Sequence, residues 1–372
     1  MKFHLPYLLL SISIVSSCIQ FKVDVLKPDI VTKIQIGSAP FHIQAELVNN
    51  VLTNVPLTIP YQSGTSYLVD TRNSLIKAFD NQGELEYILG NPDLPPNPEI
   101  SHYKYKFGTI GNITIDSGQN LYIQNRIGSK NSLDSNNDQE SLFKKYSGSF
   151  DTSATSPLPS FVLKMSSKGI VSSILGATGK NTEPFRFIEY MLSPDEDEIF
   201  IYHKFAEEMR LTYFKEEKVI GEIRESNLDV YKSPDNSEYQ IQLDKMYPIE
   251  SGEYALVSLS YYSKGETRFK FRRIYKVNFN EPTKTILLKE IQDPNEILFS
   301  VRDNNEFYIW ETEDKGESVR LQVHDKDGNH INNKRLEFNP PRGQWRETFT
   351  DAEDNIYSIR IRVGYLELYR WR

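Results

Sequence analysis

Residues 112–126 read NITIDSGQNLYIQNR: a β-branched run, an acidic turn containing glycine, and a second run ending in polar residues. Runs of this kind bounded by Gly, Asn and Asp are typical of two strands joined by a tight turn. The same unit recurs, with variations, at residues 189–204, 246–262, 297–311 and 348–362, and a degenerate copy opens the series at 60–72. The chain therefore repeats one pair of predicted strands six times.

Each of the first five copies is followed by two further runs with strand character. These lie at residues 75–89, 161–175, 211–223, 273–291 and 319–338. Four strands recurring at spacings of about 40 to 60 residues are typical of the blades of a β-propeller. No apolar period of 3.6 residues is sustained over about twelve residues, as an amphipathic helix would require. The sequence thus predicts an all-β, six-bladed propeller.

The two ends of the chain complete each other. The sixth copy stops at residues 365–372, its third strand, whereas residues 31–38, VTKIQIGS, resemble a fourth strand with no first three before it. An open three-stranded blade would leave an unpaired edge. We therefore expect a one-plus-three closure of the sixth blade, and a single propeller domain over residues 31–372 with an insertion loop at 126–160.

The N-terminal segment predicts export. Residues 1–17 contain one positive side chain, Lys2, and an apolar run from Leu5 to Val15. Eleven apolar residues are too few to span a bilayer as a helix, which takes roughly 18 to 20, but they suit a cleaved signal peptide. Residues 18–30 are then expected to form a tether.

The residues VSSC at 15–18 resemble a bacterial lipoprotein signal, which implies lipid attachment at Cys18. The alternatives are an ordinary secretory signal with an incidental cysteine, or a buried free thiol. As the only cysteine in the chain, Cys18 has no partner for an internal disulfide. Several acyl chains would anchor the protein to a membrane without a spanning segment, in the bacterial cell envelope at the outer membrane or the periplasmic face.

The repeated strand, turn and strand pattern resembles six-bladed propellers of the NHL-repeat kind. Over residues 31–372 the layout is also similar to a family of spirochaetal, especially leptospiral, lipoproteins. The resemblance implies fold and location and no activity.

The composition limits the partners. The formal net charge of −8 becomes −9 once residues 1–17, with Lys2, are removed. A nucleic-acid partner would call for a concentrated basic surface, so none is expected. A closed propeller is expected to be a monomer.

No motif predicts a metal, a cofactor or a catalytic residue. The acidic stretches at 193–198 and 325–329 suggest calcium loops, but counting from Asp325 places glycine fourth and leucine twelfth, which does not fit an EF-hand. Both stretches are expected to be turns. His324 and His330 flank a hairpin and could face each other, without a third ligand. No Gly-x-Ser-x-Gly elbow, Walker loop or dinucleotide fingerprint occurs.

Propeller topology points to a binding face. Connections between second and third strands share one face with the connections between blades, and loops on a rigid scaffold are where binding usually resides. The side chains expected there are Arg72, Arg126, Arg186, His203, Tyr262, Arg346 and Arg362. Arginines and aromatics commonly anchor partners, so we expect a site for a polar or anionic ligand or an envelope or extracellular protein. Alternatively, these arginines are solvated and pair with the many carboxylates.

Two classes of function remain. The first is a non-enzymatic, membrane-anchored propeller that presents a binding face. The second is an envelope hydrolase or lactonase resembling calcium-dependent six-bladed enzymes, which needs carboxylate and amide ligands from several blades at the channel.

The basic run RFKFRRIYK at 268–276 alternates charged and apolar residues in its first half. We expect it to form an outward-facing edge of blade 4, and the alternative is a patch for acidic lipid headgroups.

Overall fold

The computed structural model describes residues 23–37, 39, 42–43, 46–48, 51–53, 60–71, 73–126, 160–176, 184–205, 207–232, 237–265, 268–302, 304–338, 345–351, 355–362 and 364–372. These residues form strands and short 3-10 turns, and no α-helix occurs among them. Within the same ranges, no helix has the length and apolarity that crossing a bilayer requires.

The described residues form 28 strands. They are β1 (Val23–Leu26), β2 (Pro28–Gln35), β3 (Glu46–Val48), β4 (Val51–Thr53), β5 (Tyr61–Gln62), β6 (Thr65–Asp70), β7 (Leu75–Phe79), β8 (Leu85–Gly90), β9 (Ser101–Tyr103), β10 (Thr109–Ile115), β11 (Leu121–Arg126), β12 (Ser160–Met165), β13 (Val171–Leu175), β14 (Phe187–Leu192), β15 (Glu198–Phe205), β16 (Glu208–Lys215), β17 (Lys218–Arg224), β18 (Tyr239–Ile249), β19 (Tyr254–Ser263), β20 (Phe269–Asn278), β21 (Thr285–Ile291), β22 (Glu296–Val301), β23 (Phe307–Glu313), β24 (Ser318–His324), β25 (His330–Glu337), β26 (Trp345–Thr350), β27 (Ile356–Arg362) and β28 (Tyr365–Trp371).

Six sheets make the six blades of a β-propeller. Blade 1 is β5 to β8, blade 2 is β10 to β13, blade 3 is β14 to β17, blade 4 is β18 to β21, blade 5 is β22 to β25, and blade 6 is β26, β27, β28 and β2. The first strands of neighbouring blades contact each other, β10 with β14 and β18 with β22, so the first strands surround the axis. The fourth strands lie at the rim.

The ring closes as the chain ends predict. β2 pairs antiparallel with β28, from Pro28 opposite Trp371 to Gln35 opposite Tyr365. The N-terminal strand is therefore the fourth strand of a blade whose other three strands end the chain, which confirms the one-plus-three closure.

Three pairings differ from the expected layout or add to it. β1 pairs parallel with β25 outside blade 5, and β9 pairs parallel with β8 outside blade 1. β3 and β4 form a hairpin between blades 6 and 1. Residues 23–26 and 28–30, expected to belong to a tether, are strands because they complete the edges of blades 5 and 6. Cys18 lies outside the described residues.

The core lies between the blades, where apolar faces of neighbouring sheets pack together. Phe200 of blade 3 stacks on Tyr213 at 4.3 Å and lies 6.1 Å from Phe279 of blade 4. Each such side chain contributes about 1.5 to 3 kcal/mol by burial. Gly252 has φ +80°, and a Cβ there would lie 2.7 Å from Phe200 Cζ, so this interface requires a glycine.

Acidic turns join the strands by one recurring device. Asp325 accepts the backbone N–H of Asn329 at 2.8 Å through Oδ1 and its amide at 2.9 Å through Oδ2. Asp116 and Asn120 close their turn in the same way. Both carboxylate oxygens serve the turn, as Asp does in loops that must reverse the chain.

The 193–198 stretch links two blades. Asp195 of blade 3 accepts a hydrogen bond from Ser117 of blade 2 at 2.9 Å, and Asp197 forms an ion pair with Lys164 of blade 2. These carboxylates therefore hold blades 2 and 3 together.

The basic run around β20 corrects an expectation. β20 lies between β19 and β21, so it is an interior strand and not an edge. Arg272 is buried and its Nε donates to Asp244 at 2.8 Å. The alternating charge pattern did not reveal this, because the carboxylate that compensates Arg272 lies 28 residues earlier.

Candidate functional site at the mouth of blades 2 and 3

The innermost strands of blades 2 to 6 share one irregularity. A register shift interrupts each of them, between Ile110 and Ile113, Ile188 and Tyr190, Leu243 and Lys245, Leu298 and Ser300, and Trp345 and Thr348. A bulge bends a strand and re-aims its side chains. The residues before each bulge begin the strand and lie at the mouth of the channel, on the face that holds the connections between blades.

Arg126 ends the second strand of blade 2 at this mouth. It lies opposite Thr109 on one side and Ser160 on the other. Ser160 exchanges two backbone hydrogen bonds with Phe185, of 2.7 and 2.9 Å. Arg126 and Phe185 thus lie on either side of Ser160, and their backbones are two strand spacings, or about 10 Å, apart. Arg186, the residue after Phe185, therefore lies in the same region as Arg126.

An exposed aromatic ring stands beside these arginines. Phe187 begins β14, is 44% exposed, and lies opposite Lys204 in the neighbouring strand. Lys204 forms an exposed ion pair with Glu207 at 3.4 Å. The mouth of blades 2 and 3, defined by Arg126, Arg186, Phe187 and Lys204, therefore combines three cations with one accessible phenyl ring.

Most arginines are paired with carboxylates, and the two at this mouth are not. Nine arginines form ion pairs with carboxylates: Arg210, Arg224, Arg272, Arg273, Arg302, Arg320, Arg335, Arg362 and Arg372. Within the part of the chain that the structure describes, Arg126 and Arg186 belong to no such pair, a property that they share with Arg268 of blade 4 and Arg370 of blade 6. Two guanidinium groups without an internal carboxylate are available to an anion, for which the planar fork of arginine is well shaped.

His203 lies inside the wall behind this mouth. Its ring packs edge-on against Phe185 at 4.9 Å, and its Nε2 lies 3.0 Å from Thr212 Oγ1. Thr212 Oγ1 donates to Glu222 at 3.2 Å, so it accepts from Nε2–H of His203. Burial, reinforced by nearby Arg210, lowers the pKa of His203 to about 4. The imidazole is neutral at pH 7 and supports the wall.

The other side chains expected at the binding face do not join this group. Tyr262 packs edge-on against Phe269 of blade 4 at 6.0 Å. Arg362 lies 3.6 Å from the buried carboxylate of Glu367 in blade 6. Arg72 lies outside the described residues, as does the side chain of Arg346, whose backbone belongs to β26. The structure therefore brings together Arg126, Arg186 and His203 and separates Tyr262 and Arg362 from them.

Phe187 and Lys204 were not among the expected site residues. Both could have been found from the repeat, because they are the first residue of an innermost strand and its partner on the second strand. The exposure of Phe187 depends on how the chain enters blade 3, which the repeat does not specify.

An amide and a carboxylate on the innermost strands are used internally. Asn112 Nδ2 donates to the backbone oxygens of Ile188 at 2.9 Å and Glu189 at 3.3 Å, which joins blades 2 and 3. Asp244 accepts from Ser260 at 2.6 Å as well as from Arg272. Among the residues that the structure describes, no three His, Cys, Asp or Glu side chains converge to hold a metal ion.

The paired histidines of blade 5 do face each other, with ring centroids 5.2 Å apart. His324 Nδ1 lies 3.1 Å from the carbonyl oxygen of Gly328, and His330 Nε2 lies 2.9 Å from Asn333 Oδ1. These bonds, together with the burial of His324, account for the pair as part of the hairpin.

Several solved propellers are similar to this chain. The Dos1 propeller is 10% identical, with 93% of this chain and 95% of that chain covered and a TM-score of 0.41. The WD40 domain of Toxoplasma gondii coronin is 9% identical, with 94% and 88% covered and a TM-score of 0.42. A glucose dehydrogenase is 9% identical, with 92% and 98% covered and a TM-score of 0.42. Similarity at this level carries no argument about activity.

No family model matches the chain. No curated protein sequence matches it either.

Proposed function

We propose that this protein is a lipid-anchored, non-enzymatic β-propeller of the bacterial cell envelope, of the NHL-like spirochaetal lipoprotein kind, that binds an anionic partner at the mouth of blades 2 and 3. The partner is a polar ligand or an envelope or extracellular protein with a cluster of negative charge. Nucleic acid is not the partner, because the chain carries a formal net charge of −8. The protein acts as a monomer.

One observation carries the binding proposal. Arg126 and Arg186 form no ion pair with any carboxylate that the structure describes. Phe187, beside them, is 44% exposed. An uncompensated pair of cations costs free energy through mutual repulsion, which an anionic partner would relieve. An exposed aromatic adjoining arginines is also the composition of anchoring contacts in protein interfaces.

The anchor proposal comes from the N-terminus. Residues 15–18 carry the lipoprotein-like signal, and the first described strand begins at Val23, five residues after Cys18. A mature chain beginning at Cys18 would therefore leave a very short segment between the lipid and the propeller. The membrane is in this sense a second partner, held through the N-terminal lipid.

The test of binding uses two polyanions of different chemistry, poly-L-glutamate and heparin, titrated into the fluorescently labelled protein. The double variant Arg126→Ala/Arg186→Ala should bind at least tenfold more weakly than the parent. The matched control is Lys315→Ala/Arg320→Ala, which removes two charges from the same face at blade 5, where Arg320 is paired with Glu311 and Glu313. Equal loss in both variants would mean that only net charge matters and would contradict a site at blades 2 and 3.

The hydrolase alternative requires a cation at the channel. It would be favoured if the purified protein retained calcium in a native-state mass spectrum. The internal hydrogen bonds of Asn112 and Asp244 favour the binding function over this alternative.

A further inference from the structure

Exposed apolar side chains occur on the rim of blades 3 to 6. The described residues include twelve large apolar side chains that are exposed. Six of them lie on the outermost strands of blades 4, 5 and 6: Ile286, Leu287, Ile331, Val23, Val25 and Ile30. Two more, Val219 and Ile220, lie on the outermost strand of blade 3, and the other four lie on inner strands or in turns.

The register places two of these side chains on one surface of blade 5. Val23 lies opposite Asn333 and Val25 opposite Arg335. Ile331, two residues before Asn333, lies in a bulge of β25, between Asn332 opposite Val323 and His330 opposite His324, and is 41% exposed. The other face of β1 is used for packing, because Leu26 joins the buried cluster between blades 5 and 6. β1 is therefore held in place while Val23 and Val25 remain accessible.

The surface continues onto blade 4. The hairpin turn before Ile331 lies against the outer strand of that blade, where a Cβ on Gly328 would be 2.7 Å from the carbonyl oxygen of Leu288. Ile286, opposite Lys276 on the face of blade 4 that is turned toward blade 5, is 58% exposed, whereas Leu287 points to the other face. The apolar rim, defined as Val23, Val25, Ile331 and Ile286, thus spans two adjacent blades.

Charges beside the apolar rim are compensated. Arg335 Nη2 lies 2.6 Å from Asp314, and Arg335 Nε lies 3.3 Å from Glu313. Arg372 forms an ion pair with Asp29 at the start of blade 6. The rim therefore suits an apolar surface and does not depend on negative charge in the partner.

The length of the N-terminal chain decides between possible occupants. Cys18 precedes Val23 by five residues, which span at most about 18 Å when fully extended. With the lipid anchor of the proposed function, on which this inference rests, the apolar rim must stay within that distance of the bilayer. A second copy or another protein would have to enter this narrow space.

We propose that the apolar rim rests on the bilayer, with its aliphatic side chains in the headgroup region as in interfacial membrane proteins. Because the rim faces the membrane, the propeller axis lies parallel to the membrane plane. The mouth of blades 2 and 3 then opens along the membrane surface, toward partners held in or on the same membrane.

The test exploits the single cysteine. Residues 18–372, which contain every described strand, are coupled through Cys18 to a maleimide lipid in phosphatidylcholine vesicles, and amide hydrogen exchange is compared with that of the uncoupled chain. Exchange in residues 23–26 and 330–333 should slow at least fivefold on the vesicles, and exchange in residues 218–224 should not change. Because the lipid is attached chemically, the result does not depend on whether the cell acylates Cys18 or on any anionic partner.

Matched variants separate apolar contact from mere tethering. Val25→Asp/Ile331→Asp should abolish the slowing, whereas Val219→Asp/Ile220→Asp, which adds the same charges to the exposed outer strand of blade 3, should retain it. If the aspartates disturb β1, the less disruptive rim variant Val23→Ser/Val25→Ser replaces them, and it should also remove the slowing. No slowing in the parent, slowing that survives both rim variants, or equal slowing in a concentrated vesicle-free sample would overturn the proposal, the last by showing contact between copies.

Discussion

Lys77 Nζ lies 2.9 Å from Asp70 Oδ2 inside blade 1, and each of the two side chains is only 2% exposed. Lys77 also donates to the carbonyl oxygen of His42 at 2.7 Å, and Asp70 accepts from the backbone and side chain of Asn73. A buried charge is tolerated only when such partners replace water. The pair thus ties the second and third strands of blade 1 to the chain that enters it.

Replacing one member of this pair should destabilise the protein strongly. Lys77→Met leaves the Asp70 carboxylate buried without its cation, a change that costs about 3 to 5 kcal/mol. Urea unfolding followed by circular dichroism measures the loss. Lys218→Met, which breaks the exposed pair with Glu216, should change the free energy of unfolding by less than about 1 kcal/mol; similar losses in both variants would contradict the reasoning.

The closure of the ring gives a second prediction. Ile34 of β2 is fully buried and lies opposite Leu366 of β28, so Ile34→Ala should cost about 2 to 5 kcal/mol by leaving a cavity. Ile30→Ala is the control on the same strand, since Ile30 is 55% exposed and its truncation should cost about 0.5 kcal/mol or less. Thermal unfolding of both variants checks the difference, and comparable midpoints would mean that β2 contributes little to closure.

The architecture was predictable because its causes are local. The strands of blades 2 to 6 are recognisable in the sequence as β-branched runs between Asp, Asn and Gly. The predicted strands at the two chain ends lack partners within their own blade, and this predicts the closure. The added strand β1 was not predictable, because four residues that pair parallel at a rim leave no periodic signal. Arg272 was misassigned to an edge for a related reason: its compensation by Asp244 is a contact between strands and not a property of its own run.

Only part of the candidate site followed from the sequence. Arg126 and Arg186 could be placed by topology, because strand ends and blade connections share a face. Arg362 is paired with Glu367, whereas Arg126 and Arg186 are paired with no carboxylate that the structure describes. This difference depends on side-chain geometry, which the sequence does not give. His203 was expected on the surface because strand ends are usually open, yet Phe185 from the entry to blade 3 covers it.

The buried histidine predicts a dependence of stability on pH. An unfolded histidine has a pKa of about 6.5, and burial lowers the pKa of His203 to about 4 in the folded protein. Between these values the unfolded chain takes up a proton that the folded chain does not, so the free energy of unfolding falls as pH drops from about 6.5 to 4, by up to about 3 kcal/mol. Above pH 6.5, His203 makes no contribution to the pH dependence of the free energy of unfolding.

Urea unfolding at pH 7.0 and 5.0 checks this dependence in the parent and in His203→Gln. The parent should lose more stability than the variant between the two pH values. His324, whose pKa is also lowered to about 4 by burial, adds a slope of the same sign to both proteins and cancels in the comparison. Identical losses in parent and variant would show that His203 is protonated in the folded state.

The exposed ring at the mouth predicts an apolar share of binding. Phe187→Ala should weaken the polyanion complex at least about threefold, and more for a partner that carries an apolar group, because a truncated aromatic anchor commonly costs more than 1 kcal/mol. Ile297→Ala is the matched control, since Ile297 is 40% exposed at the mouth of blade 5. Equal binding by the parent and Phe187→Ala would mean that the site binds through its charged side chains alone.

The anchor predicts the mass of the mature protein. An intact-mass spectrum of protein extracted from membranes should show residues 18–372 plus acyl groups, because processing before Cys18 removes residues 1–17 and the acyl chains supply stable attachment where one chain alone would not. Cys18→Ser should move the protein from the membrane fraction to the soluble fraction of the envelope, while its circular dichroism matches the parent, since every described strand begins after residue 22. A mature chain without added lipid would leave Cys18 an ordinary thiol and make the protein a secreted or periplasmic propeller. The interaction of the apolar rim with vesicles could still hold in that case, because the coupled experiment supplies its own lipid.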